Sequence, residues 1–286
     1  MTKFMRFGAH VSAAGGLWKA GKAGKELGCE VIQIFSRSPQ TFAAKPITDE
    51  DAEKFKVSMK ENDIHDVYIH APYIINLASA KNTTRFGSVK ILREELERGT
   101  QLGAKAIMFH PGSAKEVGRE EGINMIVKGL DRIMDGYDGT CQLLIEISAG
   151  AGEVMGDQFE EIAAFLNKTE RGKEIGVCFD TQHAFASGYD LRTKEAVDAT
   201  FKAFDDTVGL KKLVASHCND SKVEFEAHKD RHQHLGHGFI GVDAFKYIVE
   251  HPKLQHIDLI LETPFTGEEE KGSREEDIAL LKKYRG

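Results

Sequence analysis

The sequence lacks any apolar stretch approaching the roughly 18 residues that a membrane span requires, which excludes a helical membrane protein. Residues 1–16 mix charge with glycine and show no signal-peptide core. Cysteine is scarce: Cys29, Cys141, Cys178 and Cys218 stand far apart without a C-x-x-C pair, so they frame neither a disulfide scaffold nor a thiolate zinc site. Cys178 lies inside an apolar run and reads as core. Six prolines and no low-complexity tract argue against disorder. Positive charge is not in excess either. A net charge of -7 excludes indiscriminate binding to nucleic acid, which draws on Lys and Arg neutralising phosphates. A polyanionic partner would need a local exception, which bound divalent cations can supply. The expectation is a soluble, intracellular, cytoplasmic protein without membrane contact, a monomer whose residues 1–286 form a single domain.

What the sequence does have is a series of apolar runs that end on residues able to bind metal. Val67 to Ile69 leads to His70, Ala106 to Phe109 to His110, and Leu143 to Ile145 to Glu146. Ile175 to Phe179 leads to Asp180, Lys212 to Ser216 to His217, and Leu259 to Leu261 to Glu262. Such runs read as buried parallel strands, and the carboxyl ends of those strands face the ligand crevice of an α/β protein.

Between the runs lie stretches with helical spacing. Leu17, Ala20, Ala23 and Leu27 precede Gly28 and the run Val31 to Phe35. Phe86, Val89, Leu92, Leu96 and Leu102 precede Gly103 and the run Ala106 to His110, with Thr83 or Thr84 as cap candidates. Strands are expected at 7–10, 31–35, 67–70, 106–110, 142–146, 175–180, 213–217 and 259–262. Eight strands with intervening helices predict an α/β fold, a single (β/α)₈ barrel with a metal site at the C-terminal face of its strands. A doubly wound open sheet is the alternative, but ligands from almost every strand favour closure, because an open sheet has no common mouth. Cys218 to Gly241 breaks the rhythm, and a loop of that length is usually functional.

Two local pairs add to the strand ends. Asp180 and His183 are spaced i, i+3, and Asp230 and His232 are spaced by two, so each pair shares a face. Taken singly, a strand-end histidine is most often a core residue bonded to backbone. Four carboxylates converging with His70, His110, His183, His217 and His232 would repel one another unless a cation intervened. The mixed nitrogen and oxygen donors suit zinc, manganese or iron, with zinc favoured on ligand type, and they exceed the needs of one tetrahedral ion. His10 is read as support rather than ligand, His228, His234 and His237 as exposed or supporting, and His65, His251 and His256 as surface. The glycine-rich loop Gly150 to Gly156 misses a dinucleotide fingerprint by one residue and reads as a turn. Lys222, Lys229 and Arg231 are candidates for phosphate contact, and Tyr73 with Ile74 for a wedge into stacked bases.

Together the stretches Gly8 to Ser12, Pro72 to Leu77, His110 to Ser113, Asp180 to Ala186, His217 to Lys222 and Asp230 to His232 resemble the endonuclease IV class of apurinic/apyrimidinic endonucleases. The resemblance implies a TIM barrel with three zinc ions, manganese being a possible substitute. The implied activity is nicking of double-stranded DNA on the 5′ side of abasic sites, leaving a 3′-hydroxyl and a 5′-deoxyribose phosphate, with trimming of 3′-blocking groups. By analogy His70, His110 and Glu146 hold the first zinc, Glu146 bridges to a second completed by Asp180, His217 and Glu262, and His183, Asp230 and His232 hold the third. Glu262 and Glu146 are the catalytic candidates, Glu262 as the group that orients or deprotonates the attacking water. Tyr73, Ile74, Lys222 and Arg231 are the DNA-contact candidates. Departures from the family pattern are Gln40 in place of a stack-entering arginine, Gln182 in place of cysteine, Ile147-Ser148 in place of a polar pair, and His237 in place of glutamate. The rival readings are a metal-dependent sugar isomerase or epimerase, and a lesion-binding scaffold with structural zinc.

Overall fold

A computed structural model describes residues 4–41, 43–265 and 271–286. Eight parallel strands close into a barrel: β1 (Phe7–His10), β2 (Val31–Ile34), β3 (Asp66–His70), β4 (Ala106–Phe109), β5 (Gln142–Glu146), β6 (Gly176–Asp180), β7 (Leu213–His217) and β10 (Asp258–Leu261). Closure is made by β1 pairing with both β2 and β10, which settles the choice against an open sheet. The two remaining short strands, β8 (Asp220–Ser221) and β9 (His232–Gln233), form an antiparallel hairpin inside the long loop after β7.

Helices follow the strands and pack outside them, as the apolar spacing requires. The first five are α1 (Lys19–Glu26), α2 (Asp49–Glu61), α3 (Asn82–Leu102), α4 (Arg119–Met134) and α5 (Phe159–Lys168), and α1 and α3 are the two stretches marked by glycine stops. Gly103 sits at φ 73, a left-handed conformation that a side chain disfavours, and its N–H closes the last turn of α3. Two expectations for α3 fail. The helix begins at Asn82 with Lys81 at the cap, so Thr83 and Thr84 lie inside the first turn. Phe86 is exposed and stacks beneath the guanidinium groups of Arg85 and Arg132, while Leu92, Leu96 and Leu102 are buried. Phe86 is thus held by cation–π contact rather than by the core.

The core has two parts. Val31, Tyr68, Ala106, Met108, Leu144, Cys178, Ala215 and Ile260 fill the barrel interior, and a larger cluster lies between strands and helices. Because side chains alternate along a strand, the residue two positions beyond an interior residue also points inward, one layer higher. Val31, Tyr68, Met108, Leu144, Cys178, Ala215 and Ile260 are therefore followed by Gln33, His70, His110, Glu146, Asp180, His217 and Glu262. This period of two is what gathers the site at one end. All four cysteines are buried and unpaired. Among the described residues no helix is long and apolar enough to cross a membrane.

Candidate metal centre

At the carboxyl ends of the strands, three groups of donor atoms each fall within 4.8 Å of one another: His70, His110 and Glu146; Glu146, Asp180, His217 and Glu262; and Asp180, His183 and His232. Glu146 belongs to two groups and lies at the centre. Its Oε1 is 2.8 Å from His217 Nδ1, and its Oε2 is 3.2 Å from His70 Nε2 and 3.5 Å from His110 Nε2. Asp230 is half-exposed, with carboxylate oxygens 3.3 Å from Nε2 of both His183 and His232.

His70 and His183 are each aimed by what the other ring nitrogen does. His70 Nδ1 donates to the Ala71 carbonyl at 2.7 Å, and His183 Nδ1 to the Ile147 carbonyl at 3.0 Å, which leaves Nε2 of both facing the carboxylates. The Asp180 side chain caps α6 (Thr181–Ala186) by accepting from His183 N at 2.8 Å, so the Asp-x-x-His turn is locked as a unit. The long loop is ordered by Asp220, whose buried carboxylate accepts backbone N–H groups of Ser221, Gly236, Gly238 and Ile240. That anchor holds the β8–β9 hairpin and, with it, His232 over the mouth. After β4 the chain turns at Gly112, φ 102, where a Cβ would meet Asn76 at 2.3 Å; only glycine allows this close pass beside His110.

The electrostatics are those of an incomplete site. Burial alone would raise the Glu146 carboxyl, but His110, His217 and His183 hold it well below the ordinary carboxylate range. Glu262 is likewise low, because His217, His10 and His70 outweigh its burial. Burial would lower His183 and His217. Asp180 and Asp230 raise the first well above the usual imidazole range, and Cys178, Glu146 and Glu262 do so for the second. His110 moves the other way, burial pushing it down. Two buried atoms here, Glu146 Oε2 and His110 Nδ1, have no hydrogen-bond partner among the described residues. A buried polar atom without a partner is costly, and a cation beside Glu146 would satisfy its free oxygen. The donor set, imidazole with carboxylate, fits zinc-type ions.

A cavity of about 870 Å³ opens over this cluster, and a second of about 440 Å³ adjoins it at His70, His110 and His183. Tyr73 stands at the lip of both, 68 % exposed, with its ring edge-on to Phe35 at 5.4 Å. Ile74 lines the smaller cavity and Arg231 the larger. Lys222 lies beside Arg231 across the hairpin, its N–H donating to the Arg231 carbonyl. Gln40 is exposed on a turn that approaches Tyr73, whose N–H donates to the Pro39 carbonyl. Gln182 points into the long loop, donating to the Lys229 carbonyl and accepting from Arg231 N. His228 and His237 are exposed, whereas His234 is buried with Nδ1 2.6 Å from Asp277. His10 lies 3.7 Å from Glu262. His251 is half-buried beside Asp198, a packed position rather than an open surface one.

Two residues at the site escaped the sequence reading. Gln33 touches His10, His217 and Glu262. Asn219 donates to Asp180 and accepts from Glu262 N, each at 2.8 Å. The signal for Gln33 was present: it is an amide within the apolar run 31–35, in the alternation that carries the other strand-end donors.

A family model described as xylose isomerase-like TIM barrel matches residues 22–284. The chain is 37% identical over 278 residues to the probable endonuclease 4 of Chloroflexus aggregans, with 97% of this chain and 96% of that one covered. It is 42% identical over 259 residues to the probable endonuclease 4 of Halorhodospira halophila, covering 90% and 87%. The crystal structure of endonuclease IV from Thermus thermophilus superposes with a TM-score of 0.83 at 32% identity, over 98% of this chain and 97% of that one. Barrel, clustered donors and relatives agree, and the chain belongs to the endonuclease IV family within the xylose isomerase-like TIM barrels.

Proposed function

We propose that this chain is a metal-dependent apurinic/apyrimidinic endonuclease of DNA repair, which hydrolyses the phosphodiester 5′ to abasic sites in duplex DNA and leaves a 3′-hydroxyl. The observation that carries the reading is the unpartnered Oε2 of Glu146, buried where imidazoles and carboxylates from six strands converge. Membership of the endonuclease IV family supplies DNA as the substrate, and trimming of 3′-blocking groups belongs to the same reading. Zinc at three positions is the proposed loading, with manganese as a substitute. The first position would use His70, His110 and Glu146, the second Glu146, Asp180, His217 and Glu262, and the third His183, Asp230 and His232.

When bound, such cations supply Lewis acidity toward phosphate oxygens and make water acidic enough to ionise near neutral pH. The protein's own part is placement. Glu262 at the cavity wall orients the attacking water and accepts its proton. Arg231 and Lys222 on the loop bind phosphate flanking the lesion. An abasic nucleotide has no base to unstack, so it enters the cavity at lower cost than a normal one, and Tyr73 with Ile74 fills the gap left behind.

The test is gel analysis of an end-labelled duplex carrying one stable abasic analogue, incubated with protein of measured zinc content. One nick 5′ to the lesion is expected, slowed about 10³-fold in a Glu262→Gln variant that retains its zinc, within the range for losing a general base. No nick from loaded protein would overturn the reading in favour of sugar isomerase chemistry or binding alone.

A further inference from the structure

His217 has both ring nitrogens engaged. Nδ1 lies 2.8 Å from Glu146 Oε1 and 3.4 Å from Glu262 Oε2, while Nε2 lies 2.7 Å from the side-chain oxygen of Gln33. The nitrogen of that same amide donates to Glu262 Oε1 and stands 2.9 Å from His10 Nδ1. Which end of the amide faces which neighbour follows from chemistry. An ionised carboxylate only accepts, so the amide nitrogen must face Glu262. The amide oxygen then faces His217, and a carbonyl there requires an N–H in return. His217 therefore keeps a proton on Nε2, and Nδ1, which faces the carboxylates, is the nitrogen left for a cation. The amide also occupies one oxygen of Glu262 and leaves the other beside His217.

We infer that Gln33 is a positioning residue: one buried amide sets the tautomer of His217 and the orientation of Glu262 together, fixing the donor atoms of one cation position and the group that handles the attacking water. This rests on the reading of the mouth as a zinc-holding endonuclease site. The location favours it over space filling, since Gln33 is fully buried and stands above Val31 in the inward-facing layer that supplies His70, Glu146, His217 and Glu262. A side chain that merely filled this layer could be apolar, whereas Gln33 uses both of its polar atoms on site residues and His10.

Two variants separate the role from packing. Gln33→Leu keeps much of the volume and removes both contacts. Gln33→Glu keeps an acceptor for His217 but sets a carboxylate against Glu262. The first readout contains no DNA: zinc affinity by competition with a chelator, with folding followed by thermal melting. Gln33→Leu is expected to bind one zinc about 10–100-fold more weakly, the usual effect of losing such a supporting contact. In ¹⁵N-histidine-labelled, zinc-loaded protein, the slowly exchanging Nε2–H signal of His217 is expected to persist in wild type and Gln33→Glu and to vanish in Gln33→Leu. On an abasic duplex both variants should lose kcat with KM little changed. A folded Gln33→Leu protein with wild-type zinc affinity and an intact His217 signal would overturn the inference. If Gln33→Leu does not fold, Gln33→Glu decides: wild-type kcat there would overturn it, and a lowered kcat with the His217 signal retained would support it. Inactivity of wild-type protein would instead sink the endonuclease reading and leave the zinc titration standing.

Discussion

The two ends of the barrel are built from the same strands and solve opposite electrostatic problems. Arg6, Gly8 and His10 run inward up β1 and the residue before it, Asp66, Tyr68 and His70 up β3, and Asp258, Ile260 and Glu262 up β10 and just beyond. At the lower end the charges cancel internally. Asp258 accepts from Arg6 at 2.8 and 3.0 Å, from Lys105 at 2.8 Å and from the Tyr68 hydroxyl at 2.6 Å, and Arg6 also pairs with Asp66. Two cations meet two carboxylates with their hydrogen bonds made. At the upper end Glu146, Asp180 and Glu262 meet imidazoles, amides and backbone N–H groups, and one oxygen of Glu146 is left over. Burial of charge is thus no mark of function by itself; an unfinished balance is.

Removing metal should separate the ends most strongly. Stripping with a chelator is expected to cut cleavage of an abasic duplex by about 10³-fold or more, since the cations supply several kcal/mol of transition-state stabilisation. Affinity for the same duplex should fall too, because the bare mouth presents carboxylates to phosphate. Titration calorimetry with stripped and reloaded protein checks this, and unchanged affinity after complete stripping would break the contrast. The lower end, already neutralised, should contribute the same stability in both states.

How much of this was legible beforehand follows from the same geometry. The barrel and the clustering of His70, His110, Glu146, Asp180, His217 and Glu262 at its mouth could be read because alternation and apolar runs are local signals, and because His, Asp and Glu at a strand end have few uses. Gln33 was passed over since an amide within an apolar run has no distinctive chemistry until its neighbours are known. Phe86 misled because helical spacing cannot tell a core-facing aromatic from one held by two guanidinium groups. Asp66 and Asp258 were silent for a related reason: their partners are Arg6 just before β1, Tyr68 on β3 and Lys105 in the turn before β4, whose side chains meet inside the barrel only once it closes.

Asp258 gives the second contrast. Its replacement by Asn leaves Arg6 and Lys105 facing a neutral amide, with Asp66 as the remaining carboxylate. The expected cost is about 3 kcal/mol, the low end for breaking a buried pair because both cations keep some solvent. Denaturant melts should show that loss while kcat per folded molecule stays unchanged. The pH dependence has a definite sign. Burial raises the Asp258 carboxyl, but Arg6, Lys105 and Tyr68 bring it below the ordinary aspartate range. A carboxyl depressed on folding adds stability above its unfolded value near ~4, and that stability drains away as pH falls through the lower folded value. The wild type should therefore lose its advantage over Asp258→Asn only in strong acid; an equal gap at every pH would mean that packing, not charge, carries the difference.

The smallest expected effect lies at the lip, where neither charge balance nor metal is involved. Tyr73 is exposed although its ring packs edge-on to Phe35 and lies 5.8 Å from His70, so its place is fixed by the site while its face remains in solvent. Replacing Tyr73 and Ile74 together with Ala removes the exposed lip along with the ring contacts of Tyr73 and the partial packing of Ile74. Zinc content should stay at the wild-type value and the melting temperature fall slightly, while KM for an abasic duplex rises about 10-fold, the scale of one lost aromatic–base contact. A fall in zinc content would tie the lip to the cluster through His70 and break the division between recognition and chemistry. Unchanged cleavage at low substrate would remove the wedge and leave the loop bearing Arg231 and Lys222 to discriminate the lesion.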